Sequence, residues 1–83
     1  MAHGGPLEGV RVLDVSTMIA APATAAMLAD FGAEVVKVEK PGSGDHVRRY
    51  GATKNGVGLY WKALGRNKRS VALDLHVPEA QAL

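Results

Sequence analysis

Seven basic residues and no acidic one fall between His46 and Leu73: Arg48, Arg49, Lys54, Lys62, Arg66, Lys68 and Arg69. Cations gathered on one surface concentrate phosphate-bearing ligands, although the same run would serve equally as a solvated basic face. Asp14 and Asp74 stand near the ends of two valine- and leucine-rich runs. Open α/β sheets place their ligands there, but each carboxylate could instead accept hydrogen bonds from neighbouring backbone N–H groups. His46 and His76 have no acid at metal-ligand spacing, so no metal site is expected, and His76 is expected to face solvent. Ser16, Ser43 and Ser70 lack the G-x-S-x-G turn that exposes a hydrolase nucleophile. With no cysteine in the sequence, a disulfide framework, a thiolate zinc site and a cysteine nucleophile are all excluded. Tyr60 and Trp61, set among basic residues, would suit base stacking or, more simply, helix packing.

These groups matter only if the chain holds them at one edge. Arg11–Val15 (RVLDV) reads as a first strand, and Pro22 is placed to open a helix because its missing N–H has no partner to lose there. The apolar positions of Ala23–Phe31 recur at helical spacing and Gly32 is a C-terminal stop. Glu34–Glu39 (EVVKVE) is a β-branched second strand, with Glu39 expected as a surface charge at its end. A strand, helix, strand order predicts parallel pairing. Pro41–Asp45 is turn chemistry, and Asp45 can cap a helical turn running to Tyr50. Gly51–Gly58 reads as loop, Leu59–Leu64 as helix and Ser70–Leu75 (SVALDL) as a third strand, with Pro78 opening another helix.

The loop Ser16–Ala21 has no glycine, so the close backbone approach that a dinucleotide pyrophosphate requires is missing and neither NAD nor FAD is expected. No Walker motif is present either. The helix after this loop still directs unpaired N–H groups and a positive dipole end toward a ligand oxygen, or toward water and the Ser16 or Thr17 hydroxyls.

At 83 residues, with 47% apolar and 22% charged, the chain is one small globular domain or part of a larger one. A net charge of +2 does not by itself call for nucleic acid. The longest nearly apolar stretch, Met18–Ala29, is broken by Pro22 and Thr24 and falls short of the roughly 20 residues that span a bilayer. Residues 1–5 read as a flexible leader without secretory character, which makes the cytoplasm the expected location. The helix opening at Pro78 has room for little more than one turn, so residues 6–83 are expected to be the first part of a longer α/β domain.

Five ordered blocks carry a resemblance across nearly the whole chain: PLEGVRVLD (6–14), AAP (20–22), LADFGAEVVKVE (28–39), PGSGD (41–45) and NKRSVALDL (67–75). Together they resemble the start of the class III CoA-transferases, the CaiB/BaiF family, which includes formyl-CoA transferase, carnitine CoA-transferases and α-methylacyl-CoA racemase. The resemblance implies a Rossmann-like βαβ parallel sheet, an interlocked homodimer, and CoA or acyl-CoA as substrate beside a carboxylic acid acceptor. By family position, Ile19 and Ala20 in the first loop, Lys40 after the second strand, and Leu73, Asp74, Leu75 and His76 after the third correspond to CoA contacts. The family nucleophile is an aspartate that passes through an aspartyl anhydride and an aspartyl-CoA thioester. It would lie beyond Leu83, so no acid here inherits the role and these residues alone are expected to be inactive. Ile19 stands where the formyl-transferring enzymes have glutamine, Ala21 where glycine is common, Lys40 where arginine is common and Gly65 where asparagine is frequent. The long segment between Asp45 and Asn67 resembles the transferases more than the racemases. An acyl-CoA racemase of the same family, and a non-catalytic module binding anions or nucleic acid through the basic run, are the alternatives to a transferase. Neither nucleic acid nor a membrane is expected as a partner.

Overall fold

The computed structural model describes residues 5–83; of the leader expected over residues 1–5, positions 1–4 lie outside the described residues. The strand β1 (Arg11–Asp14) leads into the helix α1 (Ala20–Asp30), and β2 (Glu34–Glu39) follows. A 3-10 turn (His46–Arg49), the short strands β3 (Thr53–Lys54) and β4 (Val57–Gly58), the helix α2 (Leu59–Leu64), the strand β5 (Lys68–Ala72) and the helix α3 (Pro78–Gln81) complete the order. The expected α/β class holds: β1, β2 and β5 form a parallel sheet with β2 in the middle. Its register pairs Asp14 with Lys37 and Lys37 with Ser70, which puts these three side chains on one face.

That face is the one α1 covers. Ala25, Ala29, Ala33 and Val35 are buried together, with Leu7, Val12 and Leu28 packed against them. Small side chains on the helix bring its backbone close to the sheet. The opposite face carries Leu13, 67% exposed, and Val71, 39% exposed. No helix among the described residues is long and apolar enough to cross a membrane.

Four local expectations shift. The helix α1 begins at Ala20, so Pro22 is its third residue; proline is harmless there because the first four helical N–H groups have no intrahelical acceptor. The loop expected over Gly51–Gly58 contains the β3–β4 hairpin, whose Asn55 and Gly56 both take positive φ, 53° and 78°. Asn-Gly is the residue pair that a two-residue hairpin favours. The third strand lies at Lys68–Ala72, earlier than Ser70–Leu75, because Lys68 is drawn into the ladder by a buried partner described below. Glu39, expected at the surface, is only 6% exposed.

The end of α1 is a Schellman motif: the Gly32 N–H donates to the Ala29 carbonyl at 3.0 Å and the Ala33 N–H to the Leu28 carbonyl at 3.1 Å. Gly32 holds φ at +105°, which disfavours a side chain. Gly32→Ala is therefore expected to destabilise the protein by about 1–2 kcal/mol, seen as a lower urea midpoint with an unchanged slope.

Candidate functional site

The three parallel strands end along one edge, and the segments that leave them meet there. After β1 the chain runs through Ser16, Thr17 and Met18 into α1; after β2 comes Lys40; after β5 come Leu73–His76. The Leu73 N–H donates to the Glu39 carbonyl at 3.0 Å, tying the last segment to the end of β2. A cleft of about 180 Å³ opens between them, lined by Val15, Thr17, Val38, Glu39, Lys40, Leu73, Asp74, Leu75 and His76. It thus brings together Lys40, Leu73, Asp74, Leu75 and His76. Ile19 and Ala20 do not line it; they begin α1, where Ile19 is the cap residue and offers no side-chain acceptor to the first N–H groups. A neighbouring cavity of about 230 Å³ shares Glu39 and Lys40 and extends over Gly42, Ser43, Gly44 and Arg48.

Asp74 accepts from both the backbone N–H and Nδ1 of His76, each at 3.0 Å. The backbone bond, then the ring, hold its carboxyl below the ordinary range, with the Lys40 charge adding to them. The His76 side chain is 94% exposed, as its position predicts. Among the described residues no group of three or more His, Cys, Asp or Glu is placed to hold a metal.

Beneath the cleft lies a set of charges that sequence reasoning largely missed. The Lys37 ammonium, 1% exposed, sits 2.8 Å from the Asp45 carboxylate and 3.7 Å from that of Asp14, and donates to the Ser16 carbonyl at 3.3 Å. Lys68 donates to Asp14 and to the Pro22 carbonyl, both at 2.8 Å. Asp14 also accepts from the Ser16 backbone N–H at 3.1 Å and from the Ser16 hydroxyl. Asp45 caps the 3-10 turn by accepting from the Val47 N–H at 3.0 Å, as expected, and its own N–H donates to Glu39 at 2.9 Å. Arg48 clasps Glu39 through two bonds of 2.7 Å, and the Ser70 hydroxyl donates to the same carboxylate. These partners are why Glu39 is buried and not a surface charge. The signal for Lys37 was present: in EVVKVE, alternation puts it on the same face as Val35.

Burial alone would raise the Asp14 and Asp45 carboxyls, but the hydrogen bonds from Lys68 and Ser16 to the first, and from Lys37, Val47 and Met18 to the second, outweigh it and leave both below the ordinary range. Arg48 opposes the burial of Glu39 in the same way and, with Ser70 and the Asp45 N–H, brings its pKa down from 4.5 to about 2.

The basic run is not one free cationic face. Arg48 is paired with Glu39, Lys68 with Asp14, and Arg66 with Asp30 at 2.7 Å. Tyr60 packs on Tyr50 with ring centres 5.4 Å apart, and Trp61 lies 3.8 Å beneath the Arg48 guanidinium, so both aromatics pack against this chain.

The family model for CoA-transferase family III matches residues 7–83. The chain belongs to this family. Among curated proteins, it is 51% identical over 79 residues to succinyl-CoA–D-citramalate CoA-transferase of Chloroflexus aurantiacus, covering 94% of this chain and 20% of that protein. It is 45% identical over 74 residues to succinyl-CoA:glutarate CoA-transferase of Mus musculus, covering 88% of this chain and 17% of that protein. The chain therefore spans about a fifth of the length of such family III relatives. Among solved structures, a hypothetical protein from Mycobacterium tuberculosis superposes with a TM-score of 0.84 at 37% identity, over 98% of this chain and 22% of that one. A CAIB/BAIF family protein from Brucella suis gives a TM-score of 0.82 at 34% identity, over 94% and 22%.

The Arg48 clasp on Glu39 makes stability depend on pH. A carboxyl at about 2 when folded and 4.5 when unfolded contributes stability that is complete above 4.5 and is lost as pH falls toward 2. Urea unfolding at successive pH values is expected to show stability falling through that window, and Glu39→Gln is expected to flatten the fall.

Proposed function

We propose that residues 6–83 form the CoA-binding start of an acyl-CoA:carboxylate CoA-transferase. The observation that carries the reading is the cleft at the carboxyl ends of the strands, which gathers Lys40 with Leu73–His76 and with Thr17 of the loop that leads into the uncapped α1. Open α/β sheets bind ligands at this edge, and helix N-terminal N–H groups with a nearby ammonium suit the phosphate oxygens of a nucleotide carrier. The family relatives support the substrate class, since their names pair succinyl-CoA with citramalate or glutarate.

In this reading Ile19 and Ala20 meet the ligand through the start of α1, Lys40 supplies charge to a phosphate, and Leu73–His76 form the wall of the cleft. The chemistry belongs to an aspartate outside these residues, which none of Asp14, Asp45 or Asp74 replaces, the first two being committed to ion pairs. Its carboxylate attacks the thioester carbonyl and expels CoA thiolate, giving an anhydride. The thiolate then attacks the aspartyl carbonyl, releasing the first carboxylic acid and leaving an aspartyl-CoA thioester. The acceptor carboxylate repeats these steps in reverse and leaves as the new acyl-CoA. An interlocked homodimer in the cytoplasm, without metal, nucleic acid or membrane as partner, completes the proposal.

Trapping the full-length gene product with acyl-CoA is expected to yield an aspartyl adduct by mass spectrometry. Exchange of the proton beside the thioester carbonyl without an adduct would assign a racemase instead. Lys40→Glu is expected to weaken CoA binding about ten- to a hundredfold in calorimetric titration, by reversing a charge near the nucleotide. Unchanged affinity removes Lys40 from the site. Binding to a DNA duplex that falls steeply with salt, with no binding to CoA, would favour the basic-module reading.

A further inference from the structure

The loop between β1 and α1 contains no glycine, yet Met18 adopts φ of +67°. A long side chain in that region is disfavoured, so something outside the loop must hold it. The holder is Asp45, 27 residues further along the chain: the Met18 N–H donates to Oδ1 at 3.0 Å and to Oδ2 at 3.2 Å. Capping the 3-10 turn requires only the Oδ1 bond to Val47, so the bonds to Met18 are additional to the cap. Lys37 at 2.8 Å holds the carboxylate, and the bond from the Asp45 N–H to Glu39 holds the Asp45 backbone. Ser16, two residues before Met18, is gripped by the same buried charges, its N–H by Asp14 and its carbonyl by Lys37. Thr17, between the two held residues, lines the cleft.

Resting on the CoA-binding reading above, we infer that Asp45 is a positioning residue of the site. Its carboxylate holds the Met18 turn in the left-handed conformation, and that turn sets where Thr17, Ile19 and Ala20 meet the ligand. Asp45 acts through the loop and does not itself touch CoA. It does for this glycine-free loop what a glycine would do by conformational freedom alone.

A double-mutant cycle on the full-length gene product tests this, with CoA affinity read by calorimetry and exchange of the 16–20 peptide read by hydrogen–deuterium mass spectrometry. Asp45→Ala is expected to speed exchange in that peptide and to weaken CoA binding about tenfold, the loss of one charge-assisted hydrogen bond. In a Met18→Gly background, where the turn needs less help, the same change is expected to cost about threefold or less. Where Asp45→Ala does not fold, Asp45→Asn, which keeps an acceptor oxygen, carries the cycle with a smaller loss that shrinks in the same background. Equal losses in both backgrounds, or no loss, overturn the inference while leaving CoA binding intact. Slow exchange at 16–20 that Asp45 substitution does not change overturns it whether or not CoA binds. A wild-type protein that binds no CoA, with Asp45-dependent protection of 16–20, instead overturns the CoA-binding reading and removes the ligand from the inference.

Discussion

A lysine ammonium buried between two carboxylates is the constraint on which the arrangement depends. Taking Lys37 out of water costs several kcal/mol, and only close carboxylates and a further acceptor offset it. Asp45 at 2.8 Å, Asp14 at 3.7 Å and the Ser16 carbonyl at 3.3 Å supply them. Each of those groups comes from a different segment: the end of β1, the loop after it, and the turn after β2. The ammonium can therefore be satisfied only when the segments are assembled, so the charge that weakens the core as an apolar object fixes the relative placement of the cleft's walls. A methionine would fill similar space, but it would demand nothing of the loops.

The network also explains why the sheet's third strand begins where it does. Lys68 pairs across β5 with Val35 of β2, yet its ammonium reaches Asp14 of β1 and the Pro22 carbonyl of α1. A strand that starts on a charged residue is anchored by that residue's partner. Glu39 performs the same office at the other end of β2, where Arg48 and Ser70 close on it from the turn and from β5. The buried carboxylates Asp14, Asp45 and Glu39 are matched by Lys37, Lys68 and Arg48, and the pairing leaves no buried side-chain nitrogen or oxygen without a partner among the described residues.

The sequence pattern reveals the elements where hydrophobic periodicity and turn residues speak alone. Glu34–Glu39 and Leu59–Leu64 form the strand and helix their patterns predict, and Asp45 caps as its residue type suggests. Legibility fails where a polar residue is held by something distant in sequence. Nothing local distinguishes Lys68 from a solvated cation, because its partner is 54 residues away, and the strand boundary is misplaced with it. Glu39 looks like a strand-end charge until Arg48 and Ser70 are in place. Two signals are local: Asn55-Gly56, which forms the hairpin, and the even spacing of Val35 and Lys37, which puts a charge in the core. The basic run, read as charge alone, overstates how much cation is free.

The proposed CoA site would select its anionic ligand by the position of charge more than by its amount. Bulk charge attracts any polyanion, but here Arg48, Arg66 and Lys68 are neutralised by partners within the chain. In the proposed site, local electrostatics come from the start of α1, without a side-chain cap, and from Lys40 on the cleft, whose charge also steadies the Asp74 carboxylate. A fixed helix end and one cation favour a ligand whose charge is concentrated at a few oxygens in a set geometry over one whose charge is spread along a repeating backbone. In the proposed site the buried pairs of Lys37 and Lys68, and the Arg48 clasp on Glu39, would contribute indirectly, by holding the loop and strand ends in place.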